Sequence, residues 1–550
     1  MTGSPLISVK NLSVRFDRAP LPAVDHVSFD VHAGECLAIV GESGSGKSIT
    51  ARCLLGLAPP NAHVAFDALA LQGQSLPGTK SRRWRSIRGA SIGLVLQDAL
   101  VSLDPLRPVG REIEDVLRLH STLNQSQRRQ RVLELLEAVG VPDPALRAQQ
   151  RSGELSGGLR QRALIATALA AGPPLIIADE PTTALDVTVQ SKVLNLLRSL
   201  TDSGTALILI THDLAVVSRV ADRVLVMSEG RVVESGDTGA VLTEPAAAET
   251  RQLLASIPVD VPRGVPLRID EPQSAARAPQ VRANDTVLVS RASNTPPALE
   301  LISVSRRYPT RNGETIQALN HVSVTLEAGT TLGLVGQSGS GKTTIARIAL
   351  GLESADSGQI LLDGTDWGSL SARERRPRRH RLGAIYQDPL SSFDPRLTVE
   401  KILVDALRAQ SAGTSSSLAS VDELMDAVDL PRNLKNRRPL HLSGGQRQRV
   451  AIARALAPAP RTLLCDEPVS ALDVSTQARV LDLLDELQRH LGLSYLFISH
   501  DLGVIRHMSD TVAVINEGRI VETGVTHEIF TSPRDAYTQS LIAALPRVRK

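Results

Sequence analysis

Three cysteines in 550 residues, none in a C-x-x-C spacing, supply no donor set for a disulfide framework, a zinc site or an iron–sulfur cluster. Cys36, Cys53 and Cys465 are expected as small buried residues of an intracellular protein. Lysine is scarce as well: eight of the 61 basic residues are Lys and the rest are Arg, as G+C-rich coding produces. The formal net charge is only +3, which argues against a nucleic-acid partner held by bulk charge. The N-terminus is polar and the apolar runs have the length of strands, so neither a signal peptide nor a membrane-crossing helix is expected. Any membrane role would then come through partner proteins.

Glycine is present where it matters. Gly41-Glu42-Ser43-Gly44-Ser45-Gly46-Lys47-Ser48 and Gly336-Gln337-Ser338-Gly339-Ser340-Gly341-Lys342-Thr343 both fit G-x-x-x-x-G-K-[ST], the P-loop, and lie 295 residues apart. Such glycines let backbone N–H groups wrap phosphates, while the Lys reaches the outer phosphates and the hydroxyl holds Mg²⁺. Each loop follows a short apolar run (Cys36–Val40 and Thr331–Val335) and opens a helical pattern (Ile49–Leu57 and Thr344–Leu352). That arrangement sets phosphates at a helix N-terminus. Two bound nucleoside triphosphates are expected, and two of the eight lysines are those of the loops.

Self-similarity spans most of the chain. Pro5–Phe16 matches Ala298–Tyr308, and Glu244–Pro258 matches Ser532–Pro546. Two domains follow, at 5–258 and 298–550, joined by a Pro-rich linker of 39 residues at 259–297 that shows no periodicity. In each half strand-like runs alternate with helical patterns, the mark of an α/β parallel-sheet core. Ala99–Gly172 and Pro389–Pro460 are mainly helical and are expected as inserted subdomains.

Downstream of each P-loop an apolar strand ends in two carboxylates, Asp179-Glu180 and Asp466-Glu467. Successive strand residues point to opposite sides, so such a pair can divide its labour. Asp179 and Asp466 suit Mg²⁺ through its water shell, and Glu180 and Glu467 suit a general base for an attacking water. Leu155-Ser156-Gly157-Gly158-Leu159 and Leu442-Ser443-Gly444-Gly445-Gln446 precede Ala-rich helical runs, placing bare backbone amides where a γ-phosphate would be attracted.

With these in view, the sequence resembles the ATP-binding cassette family, whose signature is LSGGQ. The resemblance covers the chain outside the linker and implies two P-loop domains, each with a parallel-sheet core, an antiparallel β region and an inserted helical subdomain. It assigns further residues one by one. Gln97 and Gln387 resemble the Q-loop glutamine that touches the metal. Ala184-Leu185-Asp186 and Ala471-Leu472-Asp473 resemble the D-loop, and His212 and His500 the histidine at the γ-phosphate. Phe16 and Tyr308 resemble the aromatic that stacks on adenine. In this family the signature of one domain closes on the P-loop of the other. Lys47, Ser48, Gln97, Asp179, Glu180 and His212 would thus work with Ser443 and Gly445, and Lys342, Thr343, Gln387, Asp466, Glu467 and His500 with Ser156 and Gly158. The cofactors implied are ATP and Mg²⁺. One departure stands out: Leu159 replaces the usual Gln.

Gln97–Pro105 and Gln387–Pro395 resemble the Q-D-P stretch of oligopeptide and dipeptide importer ATPases, as do Tyr537-Thr538-Gln539-Ser540-Leu541 and Leu545-Pro546. The first half departs at Ala99 and lacks the aromatic before its Thr. The cysteine cluster of many such subunits is missing. The implied partners are two integral-membrane permeases and, through them, an extracytoplasmic substrate-binding protein, with the chain lying at the cytoplasmic face of the bacterial plasma membrane. Nickel and glutathione importers share these motifs, so the solute stays open between them and peptides. A soluble tandem-cassette ATPase acting on ribosomes or DNA is the rival, but its relatives carry a charged helical linker or zinc-binding cysteines. The basic runs Arg82–Arg88 and Arg375–Arg381 are expected as solvated faces, or as faces towards a permease or anionic lipid.

Overall fold

The protein is described from a computed structural model, over residues 4–17, 19–78, 81–96, 102–182, 185, 187–259, 261–267, 296–309, 315–408, 420–470 and 472–545. Gln97, the Ala99 departure and the D-loop residues Ala184, Asp186 and Ala471 lie outside these. The chain divides after Leu254 into two compact units.

Each unit carries the same six-stranded sheet. In the first unit its order is Arg231–Asp237, Arg223–Ser228, Cys36–Gly41, Ala206–Ile210, Leu175–Asp179, Ile92–Val95. In the second it is Arg519–Val525, Thr511–Asn516, Thr331–Val335, Ser494–Ile498, Thr462–Asp466, Leu382–Ile385. Only the first-named strand of each sheet is antiparallel to its neighbour. The strands Ala206–Ile210 and Ser494–Ile498 are buried along their whole length, which is why they read as unbroken apolar runs, ALILI and SYLFI. Antiparallel edge strands alternate half-buried and exposed instead. Parallel strands all end at one edge of the sheet, so the loops after Gly41, Asp179 and Ile210 gather there, and so do their counterparts after Val335, Asp466 and Ile498. A second, antiparallel sheet built on Ile7–Phe16 or Leu299–Pro309 completes each unit.

The inserted helical parts are present. In the first unit Val109–His120, Gln125–Ala138 and Gly157–Leu169 pack through Ile113, Leu117, Leu135, Leu136 and Ile165. In the second, Val399–Leu407, Val421–Ala427 and Gly444–Leu456 take their place. The helices after the P-loops run Lys47–Leu54 and Lys342–Ala349, beginning at the loop lysine and ending earlier than the apolar pattern suggests. The early stop has a cause: Gly56 and Gly351 turn left-handed just beyond, at φ 61° and 66°.

Two arginines of the basic runs, both half-buried, make contacts within their own unit. Arg88 donates to the carbonyls of Leu55 and Gly56 at 2.8 and 2.9 Å and stacks over the buried Trp84 ring. Arg375 donates to Gly351, Trp367 and Gly368 and stacks over the buried Trp367. Both cap the end of a P-loop helix. Arg82, Arg83, Arg85, Arg376, Arg378 and Arg379 are exposed.

Part of the stretch expected as a linker belongs to the second unit. Arg506 and His507 bond the carbonyls of Val259 and Val261, each at 3.1 Å, and the Leu267 N–H donates to the buried Asp482 at 2.9 Å. Arg263 pairs with Asp510 and Gln488 and reaches Thr331. Gly503 makes room, because a Cβ there would come within 2.8 Å of Val259. Asp510 needs a cation: its carboxylate accepts the Thr331 N–H at 2.8 Å, at the root of the P-loop strand. In the first unit the matching Asp222 accepts the Cys36 N–H at 2.9 Å and is neutralised by Arg198 from the unit's own helix. Arg198 and Asp485 both stand eleven residues past the first residue of their helices, Val187 and Val474. Where the helix has turned acidic, the strap at 259–267 supplies the missing arginine.

Candidate functional site

At each sheet edge the P-loop closes on itself. Lys47 is buried and donates to the carbonyls of Gly41 and Glu42 at 2.8 and 2.6 Å; Lys342 does the same with Gly336 and Gln337 at 2.7 and 2.8 Å. Gly44, Gly46, Gly339 and Gly341 have positive φ, which turns successive N–H groups towards one hollow, with Ser43 and Ser338 in the same loops. Gly41 and Gly336 are required for closeness: a Cβ would stand 2.1 Å from the carbonyl oxygen of Met227 or Ile515.

The two carboxylates of each pair have different surroundings. Asp179 is buried and accepts the Ser48 hydroxyl at 3.1 Å. Burial raises its pKa, with the Glu180 charge adding and the Ser48 bond opposing. Asp466 is pushed up to about 6 by burial and then by Glu467. Glu180 and Glu467 have left-handed backbones, φ 48° and 51°, a conformation that side-chain-bearing residues hold only where surroundings impose it. Their N–H groups are pinned to Ile210 and Ile498 on the adjacent strand.

That twist turns each Glu to a histidine. His212 Nδ1 lies 3.0 Å from Glu180 and His500 Nδ1 3.1 Å from Glu467. Burial pulls both imidazoles down, but the hydrogen bond and charge of the Glu outweigh it and both are raised. Conversely, burial alone would raise the Glu467 carboxyl, and the His500 bond and charge leave it lowered. Gln387, exposed, donates to Glu467 at 2.6 Å. The structure thus brings Lys, Asp, Glu and His together at both edges, with the Ser48 hydroxyl at the first and Gln387 at the second.

Ser156 and Ser443 N-cap the signature helices, accepting from Leu159 and Gln446 N–H groups. Gly158 and Gly445 are the second residues of those helices, where a Cβ would meet Val189 or Thr476. Phe16 and Tyr308 end the first strands of their antiparallel sheets, half-buried; Tyr308 is bonded to Glu353 and covered by Arg306, 5.1 Å from its ring.

The donors fit Mg²⁺: a hydroxyl and a carboxylate oxygen, hard ligands, converge at Ser48 and Asp179. Among the described residues no three His, Cys, Asp or Glu cluster so that they could hold a metal ion.

Sequence reasoning named Tyr537 only within the closing segment and not as a site residue; its hydroxyl accepts the Gln337 N–H of the second P-loop at 3.0 Å. It also passed over Asp213 and Asp501, which cap the helices after the histidines. An Asp directly after each His was the available signal.

The ABC transporter family model matches residues 24–183 and 319–470, more than half of the chain. The chain belongs to the ABC transporter family. Each unit is one of its cassettes, and the protein is an ATPase of that family. A second model, the C-terminal region of oligopeptide/dipeptide transporters, matches residues 521–550. The cassette pair is 42% identical to a peptidoglycan transport ATP-binding protein, YejF, of Agrobacterium fabrum, over 98% of this chain and 96% of that protein. It is 40% identical to the oligopeptide transport ATP-binding protein OppD of Mycobacterium tuberculosis, over 99% of both. To the glutathione import ATP-binding protein GsiA of Escherichia coli it is 38% identical, over 98% and 89%. The chain thus spans nearly the whole length of these relatives.

Proposed function

We propose that the chain is the ATP-hydrolysing subunit that energises an importer of di- or oligopeptides. The observation that carries the solute class is the match of residues 521–550 to the oligopeptide/dipeptide transporter C-terminal region. Two integral-membrane permeases and an extracytoplasmic binding protein complete the assembly, and the chain attaches at the cytoplasmic face of the inner membrane through them. Among the described residues no helix is long and apolar enough to cross a membrane, which fits attachment through partners.

Each cassette holds one ATP. Lys47 or Lys342 leaves its loop carbonyls for the outer phosphates, and Phe16 or Tyr308 stacks on adenine. Ser48, Gln97 and Asp179 hold Mg²⁺ in the first site, and Thr343, Gln387 and Asp466 in the second; when bound, the cation neutralises phosphate charge. Glu180 and Glu467 accept the proton of the attacking water. His212 and His500, their charged forms favoured, orient the Glu and face the γ-phosphate. The signature end of each cassette, capped by Ser156 or Ser443, completes the site of the other. Closure on two ATP molecules then drives the permeases, and hydrolysis reopens them.

Reconstitution with the permeases and binding protein encoded beside it tests this. Uptake of labelled oligopeptide that depends on ATP supports the reading. Uptake of nickel or glutathione but no peptide assigns another solute, and association with ribosomes in place of membranes refutes the importer.

A further inference from the structure

The segment that closes the second cassette reaches into its nucleotide loop. Helices Ala248–Ala255 and Ala536–Ala543 end the two cassettes on matching frames. In the first, Glu234 accepts the Ala246 and Ala247 N–H groups at 2.8 and 3.1 Å; in the second, Glu522 accepts those of Arg534 and Asp535 at the same distances. Thr250 and Thr538 are both buried on this frame. On this shared frame the second residue of the helix differs: it is Glu249, exposed, in the first cassette and Tyr537, half-buried, in the second.

Tyr537 spans 200 residues of sequence to accept the Gln337 N–H at 3.0 Å. The Gln337 carbonyl, on the other side of the same residue, accepts Lys342 at 2.8 Å. Gln337 is therefore held from both sides, by the lysine that must move to phosphate and by a hydroxyl that need not. Gly336, just before it, is wedged against Ile515 and cannot shift far.

We propose that Tyr537 is a positioning residue for the second nucleotide site. Its hydroxyl keeps the entrance of the loop ordered while Lys342 exchanges carbonyls for phosphate, so less order is lost or gained on binding. The same bond ties the C-terminal region to the nucleotide state of that one loop, and makes the two sites unequal. This rests on the reading of the Lys342 loop as a nucleotide site.

The test uses the full-length protein. Tyr537→Phe keeps the ring and removes the acceptor. In a Lys47→Ala background, where the second site alone binds, it is expected to weaken ATP binding roughly 3- to 10-fold. KM should rise with kcat nearly constant, and amide exchange over residues 336–341 should quicken. In a Lys342→Ala background ATP binding should be unaltered. Wild-type affinity at the second site in Tyr537→Phe overturns the proposal, and so does equal weakening at both sites. Independently of any variant, a Gln337 amide that exchanges as fast as an unprotected one in the wild type overturns it. Should Lys342→Ala itself retain two bound ATP molecules, the site assignment falls; if it retains one and Tyr537→Phe has no effect, only the role of Tyr537 falls.

Discussion

Gln446 and Ser443 satisfy each other at the start of a signature helix: the Gln446 side chain accepts the Ser443 N–H at 3.0 Å, and the Ser443 hydroxyl accepts the Gln446 N–H at 3.3 Å. The first cassette keeps half of this exchange, because Leu159 has no acceptor to return and Ser156 takes the Leu159 N–H at 3.4 Å. The departure at Leu159 thus loosens a capping box and leaves the Ser-Gly-Gly amides in place.

Leu159→Gln should restore the box and stabilise the first cassette by about 0.5 kcal/mol. Thermal unfolding of the full chain would register the gain. No change, or a loss, would mean that the leucine's packing outweighs the missing hydrogen bond.

Glu180→Gln and Glu467→Gln remove the proton acceptor while keeping shape, so each should cost well over half of the ATPase rate if the two sites fire together. If the signatures pair across the cassettes as proposed, Glu180→Gln leaves only the site that the Leu159 signature would serve and should be the more severe. Steady-state rates with the permeases present decide; full activity in Glu180→Gln would show the first site to be non-catalytic.

Arg263→Ala should destabilise the second cassette by ~1–2 kcal/mol, since it strips the cation from a half-exposed Asp510 and a donor from buried Gln488. Adding Asp485→Arg recreates the arrangement of the first cassette, where Arg198 neutralises Asp222, and should recover much of the loss. A melting curve unmoved by Arg263→Ala would show that the strap contributes nothing.

All three thiols are buried, and burial raises their pKa values, that of Cys53 to about 12. A maleimide at about pH 8 should leave the native protein unlabelled and react after denaturation. Rapid native labelling would contradict the cores described.

The chemistry was legible where it is local. Gly41–Ser48, the Asp179-Glu180 pair and Ser156-Gly157-Gly158 are runs in which backbone and phosphate dictate the residue at each place, and the alternating strands announced the parallel sheet. What stayed hidden depends on distance or on identity within a crowd. Tyr537 meets Gln337 across 200 residues, and nothing in a short helix says where its tip lies. Arg88 and Arg375 sit in arginine-rich runs, and composition does not tell a stacked guanidinium from a solvated one. The strap escaped notice because an extended Pro-containing stretch has no period, its contacts being carbonyls and one arginine met by another element's side chains.

That strap redraws where the gene could be divided. A boundary at residue 297, natural by sequence repeat, would leave Val259, Val261, Arg263 and Leu267 on the first polypeptide while Arg506, His507, Asp510 and Asp482 stay on the second. Two such fragments would be joined by strand exchange, much as a peptide is held by its receptor, and nicking within 268–295 would produce them without freeing either. A division ahead of Val259 returns the strap to the cassette it completes.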